Sequence, residues 1–390
     1  MQEPDSTGNW MGNSIPIGRF AGFPVAVNWS VLVMLVLFAW SLASATLPAQ
    51  APGYGAGVYW IAGLAGALLL IASVLLHELM HAVVARADGI KVLGLTLWIF
   101  GGVASFADEP RTARSDFRVA AAGPATSLGL AAVFAGITFA VRAIAPVPIL
   151  TATGEWLAGV NLVLGVFNLL PGAPLDGGRI LRAFLWHRRG DRVKAAIGAT
   201  RAGLVLAGLL VALGLLEIVR GGVIGGVWSI LIGWFLYTAA RQEESQVRIR
   251  ATLDRLRVRD VMNAAPQTAP GWLSVQAFIE QNGAARLQAV YPVIGFDGRV
   301  DGIVTRDRLL AVPPGQGSQI RVVDIALPAA RTPSAIVDEP LTVVYKRLLQ
   351  DESDANRTMI VFDGQRFAGL LTVSDIASVA GLRSRHVARR

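Results

Sequence analysis

A long uncharged stretch constrains this chain more than any other feature of its sequence. Residues 20–76 contain no Asp, Glu, Lys or Arg, and the stretch ends at His77-Glu78-Leu79-Met80-His81. About 20 apolar residues are enough to cross a bilayer as a helix. Ionisable side chains at such a depth are costly, so they are functional candidates by default. We therefore expect two histidines and a glutamate to lie inside a membrane.

The spacing of these three side chains is typical of a metal site. Residues four apart lie on one face of a helix, so His77 and His81 can bind one Zn²⁺, while Glu78 can reach a water beside it. The alternatives are a chance pattern, a pair of core histidines or a structural metal site. With 4 His in 390 residues, chance is a weak explanation.

Composition favours a membrane domain joined to a soluble one. Hydrophobic residues make up 53% of the chain and charged residues 16%, a balance too apolar for a wholly soluble protein. Because there is no Cys, any zinc must be held by His and carboxylates. The net charge of +8 comes from basic residues beside apolar segments, as membrane topology requires, so we expect no nucleic acid partner.

Six apolar segments are long enough to cross a bilayer: about 28–47, 57–85, 117–141, 155–171, 196–216 and 222–240. Basic residues collect between the second and third segments, between the fourth and fifth, and after the sixth. Since basic loops stay in the cytoplasm, both termini are expected there. The histidine pair should then lie within the bilayer of the cell membrane, nearer its cytoplasmic face.

Two further patterns flank this arrangement. Residues 92–103 are apolar, β-prone and interrupted by glycine, which predicts a short sheet beside the histidine pair. After Arg241 charged residues become frequent, and a repeat appears: Val258-Arg259-Asp260-Val261 matches Val322-Val323-Asp324-Ile325. We therefore expect domains at 1–245 for the membrane part, 246–257 for a linker helix, 258–315 and 316–381 for the two repeats, and 382–390 for a basic tail.

Catalytic zinc needs a third protein ligand. The best candidate is Asp176, in Asn168-Leu169-Leu170-Pro171-Gly172-Ala173-Pro174-Leu175-Asp176-Gly177. The prolines break the fourth segment and free the backbone to present a carboxylate. The alternative is that Asp176 is a turn residue. The remaining histidines, His187 and His386, are expected to be solvated.

Together, the histidine motif in the second segment and the Asn168-to-Gly177 motif resemble the site-2 protease family of intramembrane zinc metalloproteases, over about residues 14–245. The resemblance implies that His77, His81 and Asp176 bind zinc and that Glu78 is the general base. It also implies that Asn168 helps to hold the substrate strand or the developing oxyanion. Gly101-Gly102-Val103 and Ala122-Gly123-Pro124 also resemble family segments. One departure is Ser127, where many members carry Asn.

The repeat resembles tandem CBS domains, which bind adenine nucleotides through a Thr/Ser-x-x-Asp signature. Residues 369–375 fit that signature and make Thr372 and Asp375 the candidate nucleotide contacts. Residues 302–307 do not fit it, because Asp307 comes one residue early. Without a nucleotide role, Thr372 and Asp375 would cap the helix that follows.

These patterns predict a polytopic α-helical membrane protein with about six transmembrane helices, a short membrane-associated β-sheet and a cytoplasmic α/β pair of CBS domains. The predicted function is that of a zinc endopeptidase with one zinc per chain, which cuts transmembrane protein substrates in the lipid bilayer. Adenine nucleotide would modulate it, and the CBS domains would pair two chains as a homodimer. The alternative is a CBS-gated transporter or channel with a structural or transported zinc.

Overall fold

The computed structural model describes residues 14–98, 101–107, 109–313, 315–350 and 358–379. The chain divides into two compact units, Met1–Ser245 and Gln246–Arg390.

The first unit is dominated by helices that are long and apolar enough to cross a membrane, and six are found among the described residues. They are α1 (Ser30–Gln50), α2 (Ala56–Ala87), α3 (Ala113–Ile144), α4 (Pro148–Asn168), α6 (Arg192–Val219) and α7 (Val223–Leu253). A shorter amphipathic helix, α5 (Asp176–Arg189), lies between α4 and α6. The six predicted segments are confirmed.

The fourth helix begins earlier than its predicted segment. The fourth segment was expected to begin near residue 155, but α4 begins at Pro148. In the structure Glu155 lies inside α4 and accepts a hydrogen bond from Arg142 of α3, so its charge is paired and the helix extends past it.

A four-stranded sheet accompanies the helices, in the order β1 (Ser14–Phe20), β2 (Phe23–Asn28), β3 (Val92–Trp98) and β4 (Gly101–Phe106). The central pair, β2 and β3, is parallel, and the two outer pairs are antiparallel. The sheet predicted within 92–103 is confirmed as the β3–β4 hairpin. The β1–β2 hairpin was not anticipated.

The sheet packs against the N-terminal part of the bundle. Val25 of β2 and Leu95 and Leu97 of β3 are buried with Val31, and Ile71 of α2 packs against this cluster. At the other end of α2, Arg86 donates a hydrogen bond to the carbonyl oxygen of Ala21, in the turn between β1 and β2. The β1–β2 hairpin is therefore tied to the same helix that carries the histidine pair.

Close helix packing relies on small residues. A Cβ atom on Gly63 of α2 would come 2.8 Å from the backbone oxygen of Ala39 in α1, and one on Gly165 of α4 would come 2.9 Å from the side chain of Leu128 in α3. Small residues let helix backbones approach closely, which is the usual source of packing energy inside a membrane.

The second unit contains the predicted pair of α/β repeats. One sheet has the order β5 (Ala269–Pro270), β6 (Val290–Ile294), β7 (Val300–Thr305) and β8 (Leu327–Pro328), and the other has the order β11 (Arg366–Thr372), β10 (Thr358–Asp363) and β9 (Ser334–Ile336). Its helices include α8 (Val275–Asn282), α9 (Arg306–Leu310), α10 (Val322–Ile325) and α11 (Leu341–Gln350). An Asp-Gly turn joins β6 to β7 and another joins β10 to β11, with Gly298 at φ +77° and Gly364 at φ +59°.

The two repeats exchange backbone pairing. Strand β8 of the second repeat pairs with β7 of the first, where Leu327 lies opposite Ile303. Asn263 of the first repeat forms a β-bridge with Leu370 of β11 in the second. Each sheet is thus completed by a segment from the other repeat.

Candidate metal centre

Three side chains that the sequence singled out meet at one point in the first unit. His77 and His81 lie one turn apart on α2, and each is 4% exposed. Oδ2 of Asp176 lies 3.2 Å from Nε2 of His77 and 3.2 Å from Nε2 of His81. The ligand atoms of these three residues all lie within 4.8 Å of one another, so the structure brings the predicted metal ligands together.

The second nitrogen of each imidazole ring is held by α3. Nδ1 of His81 lies 2.6 Å from the carbonyl oxygen of Val119, and Nδ1 of His77 lies 2.8 Å from Oγ of Ser127. A carbonyl oxygen can only accept, so Nδ1 of His81 carries a proton. In a neutral ring, Nε2 then directs a lone pair at the carboxylate of Asp176. Two acceptors this close need a proton or a cation between them.

The spacing and the donor set both fit zinc. Zinc-to-ligand distances of about 2.0–2.1 Å place the ligand atoms of a tetrahedral site roughly 3.3 Å apart, which matches the 3.2 Å between each Nε2 and Oδ2 of Asp176. Two imidazoles with one carboxylate are also a ligand set of catalytic zinc, which keeps a fourth position for water or substrate. The residues present therefore suit a catalytic zinc ion.

A glycine keeps the space beside the ligand atoms clear. A Cβ atom on Gly123 of α3 would overlap Nε2 of both His77 and His81. Gly123 lies four residues from Val119 and four from Ser127, so the three share one face of the helix. This face of α3 orients both imidazole rings and leaves room for an ion.

Glu78 lies between the metal-ligand cluster and the sheet. Its carboxyl group interacts electrostatically with both histidines, with Asp176 and with the backbone of Gly102 in β4. A Cβ atom on Gly102 would overlap the Glu78 side chain. The second glycine of β4 thus lets the strand approach the carboxylate directly.

Asp176 is presented by a tightly folded loop. Helix α4 ends at Asn168, and Asp176 is the first residue of α5. A Cβ atom on Gly177 would overlap the carbonyl oxygens of Leu169 and Leu170, just after α4, and one on Gly178 would overlap the loop backbone. Larger residues at these two positions would push the loop open, so the glycines that follow Asp176 fix the carboxylate in place.

The other residues predicted for this unit contact neither histidine in the contacts described. The side-chain amide of Asn168 donates to the carbonyl oxygen of Leu164, one turn back in α4, at 3.0 Å. His187 is an exposed residue of α5, as expected for a solvated side chain. His386 lies outside the described residues.

Sequence reasoning missed the supporting role of α3. Ser127 stood out only as a departure from Asn, yet it is fully buried and contacts His77. Val119 acts through its backbone, which no sequence pattern reveals. The available signal was the four-residue spacing of Gly123 and Ser127, which marks one face of an apolar helix.

In the second unit, Thr372 and Asp375 bond to each other. Oδ2 of Asp375 accepts from the backbone N–H of Thr372 at 2.9 Å and from its hydroxyl at 2.6 Å, and Oγ1 of Thr372 accepts from the backbone N–H of Asp375. This is a reciprocal cap on the helix at 373–379. Thr372 also lines a cavity of about 390 Å³ together with Ala289, Val290, Arg306, Asp307 and Ser374; Asp375 is not among the lining residues.

Comparisons with known proteins agree with the chemistry of the metal centre. The family described as Peptidase family M50 matches residues 65–212. Rip3 of Mycobacterium tuberculosis, which carries a zinc metalloprotease name, is 48% identical over 369 residues, covering 94% of this chain and 93% of its own.

Similar solved structures exist for both units. The site-2 protease from Methanocaldococcus jannaschii is 30% identical and covers 59% of this chain and 95% of its own, with a TM-score of 0.40. The CBS domain of a membrane protein from Sphaerobacter thermophilus is 14% identical and covers 36% of this chain and 96% of its own, with a TM-score of 0.29.

Replacing Gly123 with alanine should weaken zinc binding. Its methyl group would occupy the space beside both Nε2 atoms, so we expect zinc affinity to fall by roughly tenfold or more, as when the surroundings of a metal site are disturbed. Gly129→Ala is the matched control, because a Cβ atom there meets nothing within 4 Å on the same helix. Zinc content and chelator competition measure the effect, and native affinity in Gly123→Ala would contradict this account of the site.

Proposed function

The chain belongs to peptidase family M50, and from that premise we propose that His77, His81, Asp176 and Glu78 form the hydrolytic centre of this zinc metalloprotease. The first three would hold the ion, and Glu78 would act as general base. The observation that carries the proposal is the convergence of three ligand atoms within 4.8 Å, next to a carboxylate that is not one of them.

The chain's own residues account for the proton transfers of peptide hydrolysis. Zinc, when bound, supplies a Lewis acid that polarises the peptide carbonyl and acidifies water. Glu78 takes the proton of the attacking water and returns it to the leaving amine. Ser127 and the Val119 carbonyl hold His77 and His81 in the orientation that directs Nε2 toward the ion.

The site lies within helices that suit a membrane, so we propose that the substrates are membrane-spanning segments of other proteins. The protein is a multi-pass membrane protein, and the basic loops support a cytoplasmic location for both termini. Backbone carbonyls of a substrate helix are locked in hydrogen bonds, so the helix must unwind locally before water can attack.

An edge strand is available to hold the unwound segment. In the sheet order, β3 lies between β2 and β4, so β4 is an edge. Gly102 of β4 contacts Glu78, so a substrate strand added alongside β4 would pass the general base. We therefore propose that β4 is the strand that pairs with the substrate. Asn168 is proposed to turn its amide from Leu164 to the substrate backbone.

We propose that the second unit is a tandem CBS module, with domains at 258–315 and 316–381 after a linker at 246–257, and that it binds an adenine nucleotide. The cavity lined by Thr372 and Ser374 on one repeat and by Arg306 and Asp307 on the other supports this. The arginine could contact phosphate. Pairing of two chains through this module is part of the same proposal.

Glu78→Gln should abolish proteolysis while zinc stays bound, because the amide cannot take a proton and the three ligands are untouched. The measurement compares membrane proteomes of cells that carry the native or the variant enzyme and looks for uncut precursors. Glu155→Gln, at an exposed ion pair, is the control and should cleave normally. A transporter would keep its transport in Glu78→Gln, and native cleavage by this variant would refute the proposed base.

Proline substitution in β4 tests the strand-addition proposal. Neighbouring residues of a strand point their N–H groups to opposite sides. One of the two variants Ala104→Pro and Ser105→Pro therefore loses a hydrogen bond to β3, and the other loses an N–H group that points away from the sheet. The variant that lacks only the outward N–H should stay folded, bind zinc normally and cleave about fivefold more slowly, the effect of a hydrogen bond of roughly 1 kcal/mol. If each variant that folds cleaves at the native rate, β4 does not hold the substrate.

Calorimetry of the full-length protein with AMP, ADP and ATP tests nucleotide binding. Thr372→Val removes a hydroxyl at the cavity and should weaken binding. Thr305→Val is the matched control, because Thr305 caps α9 in the other repeat by accepting from the backbone N–H of Arg308 without lining the cavity. No heat with any nucleotide would contradict the proposal, and equal losses in both variants would show that only helix capping matters.

A further inference from the structure

A buried ion pair joins α3 to α5. Asp116 is 0% exposed, and its carboxylate accepts two parallel hydrogen bonds from Arg182, one from Nε at 2.8 Å and one from Nη2 at 2.7 Å. Nη2 of Arg179 lies 3.7 Å from the same carboxylate. Glu243 of α7 interacts electrostatically with both arginines. Such paired geometry fixes orientation as well as distance.

Asp116 belongs to the face of α3 that orients the histidines. It precedes Val119 by three residues and Gly123 by seven, and Ser127 follows four later. This spacing keeps all four residues on one stripe of a helix. The stripe therefore touches α2 through the two imidazole rings and α5 through Arg182.

Arg182 belongs to the helix that begins with the third ligand. Six residues separate Asp176 from Arg182, which is about 9 Å along the axis at a rise of 1.5 Å per residue. The glycine-rich loop restrains α5 at its first residues, and the ion pair restrains it less than two turns later. Burial lowers the pKa of Arg182, but the hydrogen bond and the charge of Asp116, together with the charges of Glu243 and Glu109, outweigh it and raise the pKa, so the guanidinium stays charged.

We propose that the Asp116–Arg182 pair is a positioning element of the zinc site, which sets where Asp176 stands relative to His77 and His81. The inference rests on the proposed function of these three residues. Because α3 orients both imidazoles and also holds α5, one helix defines the mutual geometry of all three ligands. Ligand sites need such support, since a misplacement of about 0.5 Å already degrades them.

If the Asp116–Arg182 pair only stabilised the fold, its replacement would leave zinc binding unchanged. A buried ion pair replaced by apolar residues of similar size often leaves stability unchanged or improved. The double variant Asp116→Leu with Arg182→Met should therefore stay folded, but it lacks the paired hydrogen bonds that fix the rotation of α5. In this variant we therefore expect the zinc geometry to change while the stability of the fold does not.

The experiment measures thermal unfolding, zinc affinity by chelator competition, and the visible absorption of the cobalt-substituted protein, which reports ligand geometry. For the double variant we expect a near-native Tm, roughly tenfold weaker zinc binding and an altered cobalt spectrum. Arg182→Lys keeps the charge but loses the two-pronged contact, so it should show the same changes to a smaller extent. Glu155→Gln should match the native protein in all three measurements.

Native zinc affinity and a native cobalt spectrum in the folded double variant would overturn the proposal. If the double variant does not fold, Arg182→Lys decides, since native affinity in that folded variant also overturns it. These readouts need no substrate. If the native protein cleaves no substrate, the proposed function is refuted. The positioning role is then still decided by the zinc-binding measurements alone.

Discussion

A metal-ligand cluster at membrane depth is stable only if the polar groups around it find partners within the protein. In this unit one face of α3 meets that need. It supplies an acceptor for His81 and a hydroxyl for His77, and it leaves a bare position at Gly123 for the ion. The histidine motif on α2 is thus only half of the proposed centre, and the other half is this face of α3.

The same requirement explains why glycine recurs around the site. Gly102 lets a strand reach Glu78, Gly123 lets a helix reach the imidazoles, and Gly177 lets a loop close behind Asp176. Each places backbone where a side chain would otherwise stand. Backbone groups carry fixed dipoles on stiff elements, so the site gains rigid polar contacts without adding ionisable groups.

The sequence predicted the parts of this structure that depend on local pattern. Six apolar runs predicted six helices, and the spacing of His77 and His81 placed two ligands on one helix face. Proline in its segment made Asp176 the best candidate for the third ligand, and the family resemblance assigned it that role. The contribution of Val119 could not be predicted, because it comes from a backbone oxygen, and neither could the pairing of Asp116 with Arg182, which joins residues 66 apart in the chain. The β1–β2 hairpin was not predicted for a similar reason, because its sheet is completed by the parallel pairing of β2 with β3, which lies far along the chain.

The exchange of strands between the two repeats has a consequence for how the second unit folds. During synthesis the first repeat emerges before Leu327, which completes its sheet. Asn263 can pair with Leu370 only after more than a hundred further residues have been added. Pairings of such long sequence separation form late and slowly. Neither repeat is complete alone, so the pair is expected to fold and unfold as one cooperative unit. A substitution that destabilises one repeat should therefore destabilise both.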